Sequence, residues 1–387
     1  MNPWNQKVFN ETFDILTNNT LSRAELNYEN GEYKNIHYGD VLIKFPAHID
    51  TSSPDVPYIN DENASKKFDS ALLHNGDIVF ADTAEDYAVG KATEIEITAE
   101  CKVVSGLHTI PCRPKMRFSP RYLGYFVNSP KYHNQLIPYI QGVKVSSISK
   151  TLIKNTTISY PSLEEQTKIA SFLSCLDEKI AVQNKIIEDL KVLKKELCNK
   201  VFSSSEYVRL GDYITEITTR NKANSCDNVL SVSNKMGFIK QSEQFEDRTV
   251  ASEDKRNYKV VSEGCFAYNP ARINVGSIAL LETQKVGIIS PMYVCFKTSN
   301  ELIADYLKFY YQSAIFFKEL HKKLEGSVRQ CLTYENMCEI QIPYVNVEQQ
   351  RKIATALKGF ATRIVLEEQY LRALQRQKAY FLNAMFI

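Results

Sequence analysis

The 387-residue sequence lacks the long hydrophobic runs of membrane proteins. No stretch approaches the roughly 20 uninterrupted apolar residues that a transmembrane helix needs, and residues 1–7, MNPWNQK, contain no apolar core of a secretory signal. The nine cysteines are an odd number, and none of them forms a Cys-x-x-Cys pair. This pattern is typical of reduced, mostly buried thiols, so we expect a cytoplasmic protein without disulfides or a zinc site.

The common catalytic motifs are missing as well. The nearest match to the Asn/Asp-Pro-Pro-aromatic loop of a base methyltransferase is YNPA at 268–271, which has neither the second proline nor the aromatic. No G-x-G-x-x-G turn follows a predicted strand, and no Gly-x-x-x-x-Gly-Lys-Ser/Thr phosphate loop is present. The six histidines show no metal-ligand spacing, and no serine lies in a Gly-x-Ser-x-Gly elbow. We therefore expect a chain without catalytic activity, cofactor or metal of its own.

Charge is distributed unevenly, although the formal net charge is only +2. Residues 1–100 contain 7 Lys/Arg and 18 Asp/Glu, whereas residues 101–157 contain 9 Lys/Arg and no acidic residue. A surface that faces phosphates needs such a composition, because an exposed carboxylate would repel the nucleic-acid backbone. The alternative is a locally basic face that is balanced by the preceding acidic segment. Of the two, the charge pattern favours nucleic-acid contact.

One long helical sequence occurs twice. Residues 158–202 and 342–386 align at an offset of 353 − 169 = 184, which pairs Gln166 with Gln350. In each copy apolar residues alternate at steps of three and four, which is typical of a coiled-coil seam. About 40 residues at 1.5 Å each predict a helix of roughly 60 Å, which would act as a spacer. The seam positions are Ile169, Leu173, Leu176, Ile180, Ile187, Leu190, Leu197 and Val201 in the first copy and Ile353, Leu357, Phe360, Ile364, Leu371, Leu374, Phe381 and Met385 in the second.

The starts of both helices carry capping signals. Ser162 with Glu165, and Asn346 with Gln349, have the spacing of a capping box. Pro161 aligns with Val345, because Pro343 lies two residues too early, so we expect the second helix to start differently from the first.

Two seam positions are polar in both copies. These are Gln183 with Glu367, and Lys194 with Lys378. Polar seam residues cost stability but specify register, so we expect these four to set the register of the helix pair. If the half-chains are equivalent, a pseudo-twofold axis relates them and makes the two helices antiparallel.

The segments before the helices, 1–157 and 204–341, are weaker repeats of each other. Each contains short β-type runs and a helical segment that ends in a glycine loop, with Gly142 and Gly326 again 184 apart. The two loops differ beyond their glycines, and a shared scaffold with divergent loops predicts two modules that read different ligands. The β-type runs are 40–45, 76–81, 227–233, 264–268 and 277–281, and the helical segments are 120–129 and 304–313.

The loops carry side chains that suit base recognition. Arginine can bind guanine and glutamine can bind adenine through two hydrogen bonds, while serine adapts to either. The candidates are Lys144, Ser146 and Ser147 in the first glycine loop, Arg329 and Gln330 in the second, and Arg272 and Asn274 in an upstream loop. Candidates for phosphate contacts, which position a protein without reading sequence, are Arg113, Lys115, Arg117, Lys131, Lys322 and Lys323.

Together these features resemble the specificity subunit of type I restriction–modification systems. The resemblance rests on Pro161-x-x-x-Glu-Gln-x-Lys-Ile-Ala-x-x-Leu173, on its partner Gln349-Gln-x-Lys-Ile-Ala-x-x-Leu357, on Gly-Asp at 76–77, and on the glycine loops. It covers essentially the whole chain.

The resemblance implies an α+β fold of two α/β target-recognition domains and two long antiparallel coiled-coil helices, with a pseudo-twofold internal repeat. The recognition domains would be 1–157 and 204–341, and the conserved spacer helices 158–203 and 342–387. Such a subunit reads a bipartite, asymmetric sequence in double-stranded DNA.

The resemblance also implies partners. Two modification subunits would supply S-adenosylmethionine and adenine N6 methylation, and restriction–translocation subunits would use ATP and Mg. The alternative is a coiled-coil scaffold whose globular parts bind proteins and which has no DNA specificity.

Overall fold

The chain folds into two compact units, each of which uses both long helices. The computed structural model describes residues 4–61, 66–86, 88–98, 101–142, 145–203, 206–234, 236–244, 254–282, 286–326 and 330–386. Unit 1 combines Met1–Gln183 with Tyr370–Ile387, and unit 2 is Asn184–Gln369. Within the described residues no helix is long and apolar enough to cross a membrane.

The globular part of unit 1 is built on two mixed sheets. The strands are β1 (Asn5–Val8), β2 (Phe13–Ile15), β3 (Leu26–Asn27), β4 (Tyr33–Ile36), β5 (His48–Asp50), β6 (Tyr58–Ile59), β7 (Ile78–Ala81), β8 (Thr83–Ala84), β9 (Ala92–Glu96), β10 (Lys102–Ser105), β11 (Thr109–Pro114), β12 (Ser146–Ser147) and β13 (Thr157–Tyr160). One sheet has the order β2-β11-β7-β9-β5 and the other β10-β4-β6-β3, and all pairs in them are antiparallel except β5/β9 and β4/β10. The α-helices are α1 (Phe9–Thr12), α2 (Tyr38–Ile43), α3 (Tyr122–Val127), α4 (Pro130–Leu136) and the first long helix, α5 (Leu163–Val201).

Unit 2 repeats this plan with fewer strands. The strands are β14 (Tyr207–Arg209), β15 (Ile214–Glu216), β16 (Val229–Ser233), β17 (Gly237–Lys240), β18 (Lys259–Ser262), β19 (Phe266–Tyr268), β20 (Ile278–Leu280), β21 (Val286–Ile289), β22 (Val294–Thr298) and β23 (Gln341–Pro343). Its two larger sheets have the orders β15-β22-β19-β20 and β17-β16-β21-β18, and in them only the β16/β21 pair is parallel. The α-helices are α6 (Gln241–Gln244), α7 (Ala304–Tyr310), α8 (Ala314–Lys323), α9 (Tyr334–Cys338) and the second long helix, α10 (Val347–Ala384).

Four of the five β-type runs form strands, namely β7, β16, β19 and β20. The strand predicted at 40–45 is wrong, because Tyr38–Ile43 is a helix. His37 caps this helix by accepting a hydrogen bond at Nδ1 from the Gly39 amide (3.2 Å), and Asp40, buried in its first turn, pairs with Arg23 at 2.8 Å. These contacts satisfy the helix start in a way that hydrophobicity alone does not indicate.

The two long helices start in the same way. The Ser162 hydroxyl accepts from the Glu165 amide (3.4 Å), and the Asn346 side chain accepts from the Gln349 amide (2.9 Å). Buried Gln166 donates to the carbonyl of Pro161 at 3.0 Å, and buried Gln350 donates to that of Val345 at 2.8 Å. The expectation that the second helix starts differently is therefore wrong. Each glutamine binds a main-chain carbonyl, so the bond forms equally well at Pro161 and at Val345.

The same two glutamines hold each globular part to a helix. The Gln166 side-chain oxygen accepts from the Ser119 amide (3.0 Å), and that of Gln350 accepts from the Ile303 amide (2.8 Å). Ile303 is the repeat partner of Ser119, because 303 − 119 = 184. The internal repeat therefore extends from sequence to individual hydrogen bonds.

The long helices are antiparallel within each unit. In unit 1 the Phe172 ring lies 4.8 Å from the Phe381 ring. Asp177 follows Phe172 by five residues and pairs with Lys378, which precedes Phe381 by three residues. The two helices therefore run in opposite directions. In unit 2 Lys191 pairs with Glu368 at 2.6 Å. Cys198, seven residues after Lys191, lines a cavity together with Ala361, seven residues before Glu368, so the helices are antiparallel here too. The seam positions of both helices are buried or half-buried throughout. The predicted α+β fold with two long antiparallel helices is confirmed.

The end of each long helix inserts an aromatic ring into a globular part. In unit 1, Phe386 lies 5.8 Å from Tyr122, 5.7 Å from Phe126 and 6.5 Å from Trp4, measured between ring centroids. In unit 2, Phe202 lies 5.0 Å from Tyr306 and 5.5 Å from Tyr310. All these pairs are edge-to-face, the geometry that aromatic quadrupoles favour. The core of unit 1 therefore includes the last described residue of the chain.

We expect Phe386→Ala to destabilise unit 1 and Phe202→Ala to destabilise unit 2. Each change removes a buried ring from an aromatic cluster, which costs roughly 3–5 kcal/mol. Trp4 is the one tryptophan of the sequence and lies in unit 1, so urea unfolding followed by tryptophan fluorescence should shift strongly for Phe386→Ala. Far-UV circular dichroism should detect the loss of stability in both variants. Exposed Tyr370 provides a control, Tyr370→Ala, and equal fluorescence shifts for all three variants would contradict the assignment.

Candidate nucleic-acid interface

The first glycine loop forms a tight hairpin in unit 1. The amides of Gln141 and Ser147 donate to each other's carbonyl oxygens at 3.0 and 2.8 Å. Gly142 opens the turn with φ +104°, and a Cβ at this position would lie 2.0 Å from the carbonyl oxygen of Val145. Only glycine fits here, because any side chain would meet both the backbone strain and this clash.

The second glycine loop forms the equivalent hairpin in unit 2. Glu325 and Cys331, each 184 residues after Gln141 and Ser147, exchange backbone hydrogen bonds at 2.9 and 2.8 Å. Gly326 opens the turn with φ +99°. The described ends of the two hairpins thus share their backbone hydrogen bonds and their positive-φ glycine, while the residue types differ at nearly every position beyond the glycine.

The residue after each hairpin contacts a second loop of the same unit. In unit 1 the Ile148 amide donates to the carbonyl of Asp82 (2.8 Å), and strand β12 of the hairpin pairs with β8. In unit 2 the Leu332 amide, the repeat partner of Ile148, donates to the carbonyl of Pro270 (3.1 Å). Both contacted loops follow a buried strand, β7 or β19. The structure therefore brings together loops that the sequence identified only separately.

The candidate base-reading residues that are described lie at these hairpins and loops. Ser146 and Ser147 are half-buried in β12, and Gln330 is exposed at the base of the second hairpin. Arg272 and Asn274 are exposed in the loop after β19, at a short 3₁₀ turn (Ile273–Val275) that Gly276 ends with φ +89°. Lys144 and Arg329 lie outside the described residues.

Several cations of the acid-free segment 101–157 have intramolecular partners. Arg113 donates to buried Asp77 at 2.7 Å and to the Leu72 carbonyl at 2.8 Å, and Lys115 pairs with Asp14 at 3.1 Å. Lys102 and Arg121 pair with acids of residues 1–100 too. Acidic residues of the segment 1–100 therefore neutralise four of the nine basic residues, as the alternative interpretation predicts.

Other predicted phosphate contacts are accessible. Arg117 and Lys131 are exposed and make no ion pair with any described residue. On α8, Lys322 pairs with Glu319 at 2.6 Å, one turn earlier, and Lys323 is half-buried. DNA contact remains a prediction for all of these cations, and Arg117 and Lys131 are the best placed for it.

Arg113 and Arg117 also line a cavity of about 560 Å³ in unit 1, which also contains Arg121 and Glu94. Glu94 is 5% exposed, and its carboxylate accepts from the backbone amides of Arg121 (2.6 Å) and Gly124 (2.8 Å) at the start of α3. Burial raises the pKa of Glu94 to about 7, although the two amides act in the opposite direction.

The four predicted register residues occupy buried or half-buried positions of the long helices. Gln183 and Glu367 are buried. Lys378 pairs with Asp177 and lies 5.9 Å from the centre of the Tyr125 ring, whereas Lys194 donates to Gln312 at 3.0 Å and lies 5.6 Å from the Phe309 ring. Each lysine thus contacts a globular part. These partners were not predicted from the sequence, although the 184-residue offset between Tyr125 and Phe309 was a signal for them.

Comparison with protein families identifies the relationship. The family described as Type I restriction modification DNA specificity domain matches residues 1–192 and matches again over 199–376. The chain belongs to this family. The two matches correspond to the two halves of the internal repeat, and the resemblance inferred from the helix motifs is confirmed.

Specificity-domain relatives match over most of the chain. It is 26% identical to a protein named as the type I restriction enzyme MjaX specificity subunit of Methanocaldococcus jannaschii, over 80% of this chain and 77% of that protein. It is 24% identical to the MjaVIII specificity subunit of the same organism, over 63% of this chain and 64% of that one.

Solved structures share the fold of this specificity-domain protein. The crystal structure of the type I S subunit from M. genitalium has a TM-score of 0.60 at 14% identity and covers 100% of this chain and 96% of that one. A chain from a structure on the complex assembly and conformational transition of a type I system has a TM-score of 0.57 at 16% identity, with 100% and 98% covered.

We expect Glu94→Gln to reduce the pH dependence of stability of this specificity-domain protein. With a folded-state pKa of about 7 and an ordinary value of 4.5, Glu94 binds its proton more tightly when folded, so stability falls as pH rises through that window. Glutamine keeps an acceptor and removes this decline, which amounts to up to about 3 kcal/mol. Urea unfolding of unit 1, followed by Trp4 fluorescence from pH 5 to 8, measures it. Exposed Glu11 gives the control Glu11→Gln, and an unchanged slope in Glu94→Gln would refute the assignment.

Proposed function

We propose that this chain is a non-catalytic subunit that reads a bipartite, asymmetric DNA sequence for a type I restriction–modification enzyme. The observation that carries the proposal is the pair of equivalent glycine hairpins. The backbone hydrogen bonds at their described ends match at an offset of 184 residues, and their residue types differ. Two readers with one scaffold and different chemistry would recognise two different half-sites.

In each unit we assign base recognition to the hairpin and to the loop that it contacts. In unit 1 these contribute Lys144, Ser146 and Ser147, and in unit 2 they contribute Arg272, Asn274, Arg329 and Gln330. Their amide, hydroxyl and guanidinium groups match the hydrogen-bonding edges of bases in the major groove. Arg117 and Lys131 in unit 1, and Lys322 and Lys323 in unit 2, would neutralise phosphates. These contacts would position the protein and make its binding salt-dependent.

The long helices are the proposed docking surface for two modification subunits. They expose apolar side chains that the antiparallel packing does not use, among them Val182, Val192, Leu193, Val365 and Leu366. Exposed apolar side chains in this density are typical of protein interfaces. The partners would bring S-adenosylmethionine and flip the target adenine into their own pocket, and further restriction subunits would use ATP and Mg. We place the complex in the cytoplasm, where the nine unpaired cysteines would stay reduced.

The alternative, a protein-interaction scaffold without DNA specificity, differs in its response to salt. We expect the complex of this chain with its modification subunits to bind target DNA with an affinity that falls steeply with salt, at a slope of about −0.9 per neutralised phosphate. Arg117→Ala and Lys131→Ala should each make the slope of log affinity against log salt less negative by about 1. Binding that is weak and insensitive to salt would favour the scaffold.

We expect Ser146→Ala and Gln330→Ala to affect opposite half-sites. These residues are repeat partners in the two hairpins, since 330 − 146 = 184, so each variant is the matched control of the other. Loss of a base contact typically costs about 1–3 kcal/mol of discrimination, or roughly 5- to 150-fold. Methylome sequencing of cells that express each variant with its modification subunit would show which half-site relaxes. Arg329→Ala should behave like Gln330→Ala, and equal loss at both half-sites would refute the assignment.

A further inference from the structure

A half-buried carboxylate marks one position on the helix pair of unit 1. The Asp177 carboxylate pairs with Lys378 and accepts a hydrogen bond from the Tyr125 hydroxyl at 2.8 Å. The same lysine lies over the Tyr125 ring. The ammonium group is thus neutralised by a carboxylate of its own unit.

The equivalent position in unit 2 keeps the lysine but not the acid. At the offset of 184, Lys194 replaces Lys378, Phe309 replaces Tyr125 and Ala361 replaces Asp177. Lys194 takes up the same placement, 5.6 Å from the Phe309 ring centre, and its hydrogen bond goes to the neutral side chain of Gln312. Neither the carboxylate nor the phenolic hydroxyl of unit 1 has a counterpart here.

A cavity of about 390 Å³ occupies this position in unit 2. It is lined by Lys191, Lys194, Lys195, Ala361, Ile364 and Val365, together with Cys198 and Gln312. Lys191 pairs with Glu368 at 2.6 Å, whereas Lys194 and Lys195 make no ion pair with a described acid. The cavity therefore has an excess of positive charge. Burial lowers the pKa of Lys194, since the ammonium loses water without gaining a carboxylate.

The lining of the cavity indicates the kind of molecule that supplies the charge. Val365 lines the cavity and is 50% exposed, and Ala361 and Ile364 add apolar surface beside the lysines. A free anion gains nothing from apolar neighbours, whereas a protein surface buries them together with its charged group. The apolar and cationic side chains of the lining together suit an acidic side chain that is presented by a protein.

We propose that this cavity binds an aspartate or glutamate side chain of a modification subunit. The inference rests on the proposed function and adds to it. Unit 1 carries its own carboxylate at the equivalent place, so the two units offer chemically different surfaces to identical partners. Binding at unit 2 should then be the more sensitive to salt.

The test is a titration of the modification subunit onto the full-length chain, followed by calorimetry and native mass spectrometry. We expect Ala361→Asp to weaken one of the two binding events at least 10-fold and to remove its salt dependence, because the new carboxylate would pair with Lys194. Lys194→Met should weaken the same event while preserving the side-chain stem. Lys240→Met, which removes an exposed lysine of β17 outside the long helices, should change neither event, and thermal unfolding checks that all variants fold.

Three results would overturn the proposal. The first is wild-type affinity at both sites in Ala361→Asp and Lys194→Met. The second is equal weakening of both sites. The third is saturation of the cavity by acetate, detected by calorimetry, without any effect on partner binding, which would show a small-anion site only. Failure of the proposed function has a different signature, because the wild-type chain would then bind no modification subunit.

Discussion

The structure depends on the insertion of one aromatic ring from the end of each long helix into a globular part. Phe386 packs among Tyr122, Phe126 and Trp4, and Phe202 packs between Tyr306 and Tyr310. Because the helices are antiparallel within each unit, the ring that completes unit 1 comes from the C-terminal end of the chain. Each unit therefore needs both helices, and neither half of the sequence contains all the residues of its own core.

This arrangement keeps the scaffold constant while individual side chains diverge. Gln166 and Gln350 make the same hydrogen bonds, and so do the glycine hairpins at Gly142 and Gly326. Backbone geometry and burial restrict those positions, since a change would leave polar groups unsatisfied or create a clash. Hairpin side chains and position 177/361 carry no such restriction, and these are the places where the two units differ in chemistry.

Local signals predicted local structure well. The alternating steps of three and four specified both helices, and runs such as IVFA at 78–81 specified strands that are buried. The strand expected at 40–45 is a helix, whose start is capped by His37 and whose Asp40 pairs with Arg23. The basic character of 101–157 was real, but Arg113 and Lys115 pair with Asp77 and Asp14. Composition shows which charges are present and does not show which of them neutralise each other.

Residue order is enough to specify the internal repeat, the two long helices and the family, because periodicity and repeated motifs are visible without any contact. Three other features follow only from the folded chain: which loops meet at Asp82 and Pro270, which cations are exposed, and that Lys378 has a carboxylate partner where Lys194 has a cavity. These outcomes depend on contacts between residues far apart in the chain. Such contacts form only when the strands pair and the antiparallel helices pack.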